Sequence, residues 1–484
     1  MSDLDDAVAA IHSGPQGPRV AAVFDFGGTV IHGFTPVSGP ARLTARRGSR
    51  RAITADLESA IRGARGEGEY ERFLQRTMRT WAGLPENELT ELAGQWFRER
   101  GYTHLYPEAW RLIRAHEAAG HTLILAGCLT KFHMDAAAAE LGIPTVLRTA
   151  VAGSDGVLTG HVEGKPLWRQ GKVDAVRRFA IGHDVDAANS YAYADAAPDL
   201  PLLRWAGRPT AVNPDPRTAS AAREHGWPIL TFRPRSAAGA ADIARTTIGF
   251  TALLGGAAVG VASAARTRRQ RAMADAMITR AAAATLRATG IRIRVTGAQH
   301  ARSPRPAVFL FNHQSQFDMV VLASVLGSGI TAIAKQEVAS NPIFGPLLRL
   351  TGATFIDRAD TAKAKAALTP AVRTLRAGLS IVIAPEGTRS RTPRIGPFKK
   401  GAFHMAIQAG VPIIAVVIRN AGEIVWRDSM VVRPGTVDVA VLPPIEVRDW
   451  DPERLDDRVE RVRRSFVDTL TNWPAPEADS TLLR

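Results

Sequence analysis

From Thr246 to Ala265 the chain runs for twenty residues without a charge, TTIGFTALLGGAAVGVASAA, near the middle of a 484-residue sequence. Arg245 bounds this run on one side, and Arg266, Arg268, Arg269 and Arg271 crowd the other. A segment of this kind must be buried, packed on another apolar element or placed in lipid. Its length matches a bilayer span, although four glycines and six alanines make it only weakly apolar. A packing helix between domains is the other reading. The arginine cluster favours contact with an anionic cytoplasmic leaflet, and spanning, re-entrant and surface-lying placements stay open. Immediately before it, Arg233-Pro234-Arg235-Ser236-Ala237-Ala238-Gly239-Ala240 reads as a linker.

The chain therefore divides in two, as its length also suggests. The expected organisation is a flexible N-terminus (1–18), a first domain (19–236), a linker carrying the apolar segment (237–272) and a second domain (273–484). Residues 1–240 hold 28 Lys+Arg against 26 Asp+Glu, a net of +2; residues 241–484 hold 33 against 20, a net of +13. Only the second half attracts anions, such as an anionic membrane face or a phosphorylated substrate. No aromatic-interleaved basic stretch accompanies the excess, so nucleic acid is not expected as a partner. The first eighteen residues are polar and lack an apolar h-region, so a secretory signal is not expected. Cys128 is the single cysteine, which excludes a disulfide framework and multi-cysteine metal sites and fits a reducing compartment.

Both halves alternate short apolar runs with helix-like stretches, the pattern of α/β domains with parallel sheets. In the first, Val20–Phe24, Thr122–Leu125 and Ala211–Val212 read as strands and 56–79 as helical. In the second, Val308–Phe311, Ile381–Ala384, Ile413–Ile418 and Val437–Val441 read as strands, and Thr361–Leu379 as a helix despite Pro370.

After Val308–Phe311 comes Asn312-His313-Gln314-Ser315-Gln316-Phe317-Asp318. Five positions turn about 140° around an ideal helix, so His313 and Asp318 cannot share a helical face. They meet if His313 lies in the turn leaving the strand and Asp318 in the first turn of the next helix. The carboxylate then holds the imidazole's tautomer while the other ring nitrogen takes a proton from an alcohol. Strand Ile381–Ala384 opens into Pro385-Glu386-Gly387-Thr388-Arg389-Ser390. Between the two lies Phe355-Ile356-Asp357-Arg358; later come Pro397-Phe398-Lys399-Lys400-Gly401 and Val411-Pro412-Ile413. Sites in open α/β sheets form at the carboxyl ends of strands, so these blocks describe a base facing an anion cradle.

The order NHQSQFD, FIDR, PEGTRS, VP resembles the four blocks of the glycerolipid acyltransferase family, closest to its 1-acylglycerol-3-phosphate acyltransferases, over about residues 273–484. The resemblance implies transfer of a fatty acyl group from acyl-CoA or acyl-carrier protein to lysophosphatidate, giving phosphatidate, with no cofactor. Another lysophospholipid or a glycolipid is the alternative acceptor. It implies His313 as general base with Asp318 as its partner, and Asn312 at the substrate. Arg358 would hold the acceptor's phosphate, Glu386, Gly387, Thr388 and Arg389 would shape the pocket, and Pro412 would belong to the donor or pocket wall. Arginine suits phosphate because it stays charged and binds bidentately. Lys399 and Lys400 add headgroup attraction or form a solvated loop. The work of such an enzyme places it on the cytoplasmic face of the membrane.

In the first half, Val20–Phe24 ends in Asp25-Phe26-Gly27-Gly28-Thr29, and Tyr193-Ala194-Asp195-Ala196-Ala197-Pro198-Asp199 comes much later. Carboxylates gathered this way can hold Mg²⁺ while Asp25 attacks phosphorus. The pattern resembles the haloacid dehalogenase superfamily in its phosphoserine-phosphatase-like branch: a Rossmannoid domain over 19–236 with a helical cap at about 32–118. The resemblance implies Asp25 as nucleophile, Asp25 and Asp195 as metal ligands supported by Asp199, and Lys172 on the phosphate side. The family's second aspartate is replaced by Gly27, and its Ser/Thr block leaves Cys128 or Thr130 as stand-ins. Phosphatase activity and a retained scaffold are the two readings of this half.

Overall fold

A computed structural model describes residues 3–32, 67–99, 101–234, 238–340, 342, 344–356, 368–389, 394–427, 429–452, 454–474 and 481–483. The chain forms two units, Met1–Ala237 and Ala238–Arg484.

In the first unit, Ala21–Asp25 (β1) is buried at all five residues, the signature of a parallel strand covered on both faces. It lies between Thr122–Thr130 (β2) and Tyr191–Ala194 (β5). The seven strands run β4-β3-β2-β1-β5-β6-β7, with Thr145–Ser154 (β3), Val157–Glu163 (β4), Arg208–Val212 (β6) and Ile229–Leu230 (β7). All neighbours pair in parallel except β3 and β4, which form an antiparallel hairpin at the edge. That hairpin departs from the all-parallel expectation; β4 alternates exposed and buried residues, as a strand with one wet face should. Helices Glu67–Arg79, Glu86–Glu99 and Pro107–Ala118 lie between β1 and β2.

The N-terminus corrects its expectation of flexibility. Asp3–Ser13 is helical, buries Ile11 and pairs Asp5 with Arg111 at 2.7 Å. His121 Nε2 donates to the Pro15 carbonyl at 2.9 Å, tying the segment after this helix to the residue that precedes β2. Apolar Ala and Ile residues recurring among the aspartates give the helix the face that docks it.

The second sheet runs β11-β10-β12-β9-β13-β14-β8-β15. Its centre is Ser380–Ile383 (β12), Val308–Phe311 (β9) and Ile413–Ile418 (β13), paired in parallel. Ile330–Lys335 (β10) and Thr354–Ile356 (β11) extend it in the same direction. On the other side Thr436–Val441 (β14) runs antiparallel to β13, Arg292–Thr296 (β8) parallel to β14, and Thr481–Leu483 (β15) antiparallel to β8. The helix expected over Thr361–Leu379 is Leu368–Arg376 among the described residues. Pro370 lies in its first turn, where a missing N–H breaks no helical bond.

The apolar segment is part of a 26-residue helix, Ala240–Ala265, which begins inside the expected linker and packs on Gln270–Thr289. A Cβ at Gly256 would lie 2.7 Å from the Arg280 carbonyl and one at Gly260 2.4 Å from that of Ala276, so glycine sets how closely the two backbones approach. The opposite face leaves Ile243, Ile248 and Val259 57%, 52% and 56% exposed.

Candidate active sites

In the second unit, β9 ends at Phe311 and delivers Asn312 and His313 to the carboxyl edge of the sheet. His313 lies in the turn, and Asp318 opens the helix Asp318–Leu326. His313 Nδ1 donates to Asp318 Oδ2 at 2.8 Å. The same oxygen accepts the backbone N–H groups of Gln314 (2.8 Å) and Ser315 (2.9 Å), a turn closed on a fully buried carboxylate. The helix N-terminus beneath it favours that negative charge. With Nδ1 held, Nε2 is the ring nitrogen left for a substrate. The side chain is 21% exposed, so it is reachable.

The neighbouring strand supplies the second wall. Glu386, buried beyond the end of β12, accepts from His313 N through Oε1 and from Gly396 N through Oε2, both at 3.0 Å. Gly387 has φ +77°, and a Cβ there would lie 2.8 Å from Lys399 Cε, so the lysine's stem runs over this glycine. Thr388 is exposed on the loop, and Arg389 is half-buried.

A third wall, which nothing in the motifs foretold, is the stretch after the short helix Ala421–Ile424. Ser315 Oγ donates to the Val425 carbonyl at 2.5 Å. Arg389 Nη1 donates to the Arg427 carbonyl at 2.7 Å, and Arg427 Nη1 to that of Arg389 at 2.6 Å. No local pattern marks Arg427, which lies 38 residues beyond Arg389.

Two expectations change. Asn312 is fully buried, and its amide both donates to and accepts from the backbone of Ile418 at 2.7 Å. It clamps β9 to β13 instead of meeting substrate. Pro412 precedes β13, and its carbonyl accepts from Val308 N at the amino end of β9. Strand length puts it roughly 13 Å or more from His313, on the far edge of the sheet. Lys400 pairs with Asp456 at 2.8 Å on the surface. Arg358 lies outside the described residues.

In the first unit, adjacent strands β1 and β5 bring Asp25 and Asp195 to one edge. Asp25, Asp195 and Asp199 offer ligand oxygens within 4.8 Å of one another. Lys172, from the helix Gln170–Gly182, lies 2.6 Å from Asp25 Oδ1 and 2.5 Å from Asp199 Oδ1. Burial raises the Asp25 carboxyl to about 6, opposed by Lys172 and helped by Asp199. Burial, then Asp25 and Asp199, hold Asp195 well above the usual carboxylate range. Burial opposes the charge on Lys172, but Asp199 and Asp25 outweigh it and hold the ammonium above its ordinary value. Three carboxylates against one ammonium is a donor set that a divalent cation would complete.

Gly28 is a constraint that sequence reading passed over. Its φ is +89°, and a Cβ would lie 2.1 Å from Asp195 Oδ2. Asp215 also holds the cluster's loop, accepting from Ala197 N at 2.9 Å. Neither stand-in is poised for chemistry. Burial pushes the Cys128 thiol up to about 12, and Thr130 Oγ1 bonds His133 Nδ1 at 3.0 Å.

These two sites define a two-domain chain. Residues 22–204 match the haloacid dehalogenase-like hydrolase family model, and residues 292–419 match the Acyltransferase model. The chain thus carries a haloacid dehalogenase-like domain ahead of an acyltransferase domain. Its acyltransferase half is similar to the 1-acyl-sn-glycerol-3-phosphate acyltransferase of Limnanthes douglasii, 35% identical over 37% of this chain and 64% of that protein. It is also similar to the Homo sapiens 1-acyl-sn-glycerol-3-phosphate acyltransferase alpha, 34% identical over 37% of this chain and 63% of that protein. The chain therefore spans less than two thirds of the length of these relatives. Among solved structures, the 1-acyl-sn-glycerophosphate acyltransferase PlsC from Thermotoga maritima covers 48% of this chain and 98% of its own, with 21% identity and a TM-score of 0.42. A phosphoserine phosphatase captured as a phospho-aspartyl analogue covers 45% and 95%, with 18% identity and a TM-score of 0.34.

Proposed function

We propose that the second unit transfers a fatty acyl group from an acyl thioester, coenzyme A or carrier-protein bound, to the free hydroxyl of lysophosphatidate, giving phosphatidate. The observation that carries this reading is the His313–Asp318 pair, fixed by 2.8 Å at a strand end beside the loop of Arg389. His313 Nε2 takes the hydroxyl proton as the oxygen attacks the thioester carbonyl. The tetrahedral intermediate collapses, the C–S bond breaks, and the imidazolium returns the proton to the leaving thiolate. A thioester is already activated, so a base, positioning and electrostatics suffice. His313→Ala should abolish transfer to a panel of lysolipids while the unit still melts cooperatively; turnover near wild type would remove the base.

We place this work at the cytoplasmic membrane surface. The partner helix Gln270–Thr289 exposes Arg280 and Arg287, which a span would drag into hydrocarbon. A hairpin lying in the interface, with its apolar face down and the arginines at Arg266–Arg271 on headgroups, avoids that cost. Liposome flotation that depends on anionic lipid tests it.

A second reading rests on the acidic cluster of the first unit: a phosphatase in which Asp25 attacks phosphorus. Asp25 and Asp195, supported by Asp199, would hold Mg²⁺, which would neutralise the phosphoryl group's charge, while Lys172 keeps Asp25 ionised and faces the phosphate. Gly27 offers no side chain to protonate a leaving group. Phosphate release that needs Asp25 but not His313 supports this reading; none from any phosphorylated compound leaves the domain as a scaffold.

A further inference from the structure

In the first unit, the turn that leads into the Lys172 helix carries strain and two orphaned donors. Arg169, which precedes Gln170–Gly182, has φ +48° and ψ −116°, a region that residues bearing a Cβ rarely adopt. Its neighbours hold it there. Leu167 N donates to Thr149 Oγ1 at 3.1 Å, Trp168 N to the Pro166 carbonyl at 2.9 Å and Gly171 N to the Trp168 carbonyl at 3.0 Å. A Cβ at Gly171 would lie 2.6 Å from the Pro166 carbonyl, so glycine is what lets the turn close. Two donors in this turn find no acceptor: Trp168 Nε1, on a side chain 3% exposed, and Arg169 Nε. Arg169 makes no hydrogen bond or ion pair among the described residues. Its guanidinium lies 4.4 Å from the centre of the Trp168 ring, which attracts the charge without satisfying the N–H donors.

The turn flanks the acidic cluster. Trp168 packs on Tyr70 of the helix Glu67–Arg79, with ring centroids 5.1 Å apart. Tyr70 Oη and Thr149 Oγ1 both donate to the Cys128 carbonyl, at 2.9 and 2.7 Å. The Cys128 thiol in turn lies within the field of Lys172, Asp25 and Asp199. Arg169 stands three positions before Lys172 and is half-buried, so a ligand can reach it. Lys172 is already engaged by Asp25 and Asp199, while Lys131 and Arg148, from this side of the sheet, pair with Glu86 and Asp135. Of these four cations Arg169 alone has no carboxylate partner among the described residues. Strain together with unmet donors is the state of a site that leaves part of its bonding to a ligand.

We propose that Trp168 and Arg169 form an oxyanion-binding subsite of the first unit, which takes an acid group, phosphate or carboxylate, of a phosphorylated molecule held at Asp25. The inference rests on the phosphatase reading for that molecule's phosphate, not for its turnover. A guanidinium fork beside an indole N–H suits such a group, because each oxygen accepts more than one donor. The acid is the phosphoryl group itself or a second one on the same molecule, and three probes separate the two.

The test is calorimetric binding to the full-length chain carrying Asp25→Asn, with Mg²⁺ present, so that no probe is hydrolysed through Asp25. The probes are inorganic phosphate, glycerol 3-phosphate and 3-phosphoglycerate, the last of which adds a carboxylate to the second. Adding Arg169→Gln should weaken binding about 10- to 100-fold, and adding Trp168→Phe, which keeps an aromatic ring and loses the donor, by up to about 10-fold. The second unit is the same in every variant, so a difference between variants belongs to the first. Weakening with all three probes assigns the subsite to the phosphoryl group; weakening confined to 3-phosphoglycerate assigns it to a second acid. Unchanged binding of every probe, or no binding of any by the wild-type chain as well, overturns the proposal. Arg169→Gly separates binding from bracing: relief of strain should leave the first unit's melting point no lower while the affinity is lost. A lowered melting point with affinity kept would make Arg169 a brace and refute the subsite. Hydrolysis by the wild-type chain is read apart from this. Binding that depends on Arg169 without hydrolysis keeps the subsite and removes the phosphatase; hydrolysis whose KM ignores Arg169→Gln does the reverse.

Discussion

Asp318 Oδ2 carries three N–H groups, from His313 Nδ1, Gln314 and Ser315, at 2.8–2.9 Å in a fully buried position. Asp318→Ala would strand all three, at about 1–3 kcal/mol each. That approaches the whole stability of a typical domain and would confuse a fold defect with a chemical one. Asp318→Asn is the sharper perturbation. The amide oxygen can still receive the three donors, but each bond falls from charge-assisted to neutral, about half its strength. That is a gross loss of about 3 kcal/mol, and the new NH2 group takes the place of Oδ1, which has no hydrogen-bond partner among the described residues; burying no charge offsets part of this, leaving about 2–3 kcal/mol. The chemistry should suffer more. Without the carboxylate no charge steadies the imidazolium that forms as the hydroxyl is deprotonated, and kcat should fall about 10²- to 10⁴-fold, or about 3–5 kcal/mol of barrier. The assay is phosphatidate formation under saturating donor, paired with a thermal melt of the same sample. A folded Asp318→Asn protein keeping more than about a tenth of wild-type kcat would refute the dyad.

Pro412→Ala should leave both KM values within about twofold and cost at most about 1 kcal/mol, because Pro412 sits at the opposite edge of the sheet; a fivefold rise in either KM would contradict that placement. Gly28→Ala forces φ +89° on a residue with a Cβ and drives that carbon onto Asp195, so the Mg²⁺-induced rise in the melting point of the first unit should vanish; an undiminished rise argues that the carboxylates do not hold the ion. Burial lowers His133 from 6.5 to about 4, so the unfolded chain takes up a proton there before the folded one does. The stability this neutral histidine contributes is therefore present above pH 6.5 and is lost as pH falls towards 4, by up to about 3 kcal/mol. His133→Gln should flatten the melting point's dependence on pH across that window, and an unchanged slope would exclude His133 as its source.

Long buried strands and strand-end motifs were legible because each is written locally. Ala21–Asp25, Val308–Phe311 and Ile413–Ile418 are near-continuous apolar runs, and His313 and Asp318 meet through a turn only five residues long. What escaped was written non-locally or in short elements. Arg292–Thr296 alternates arginine with isoleucine and valine as a half-buried strand should, but over only five residues, and Thr354–Ile356 is three residues long, so each signal is too short to stand out. Arg427 joins the site through backbone carbonyls, which accept from any residue and leave no imprint on residue choice. Asn312 and Pro412 show the converse: membership of a motif did not distinguish a clamp or a strand start from a substrate contact. The docked N-terminal helix was read as flexible because its polarity spoke louder than the single face that Ile11 anchors.

Glu386 has one carboxylate oxygen on the base's own backbone and the other on Gly396. A rigid yoke of this kind means that neither loop can swing without taking the other with it. The stretch around Val425–Arg427 is tied to the same two loops through Ser315 and Arg389, so room for a bulkier or differently shaped lipid headgroup must come from trimmed side chains and not from a loop that swings open. Variants selected for new acceptors should therefore carry smaller side chains on these loops while sparing Glu386 itself.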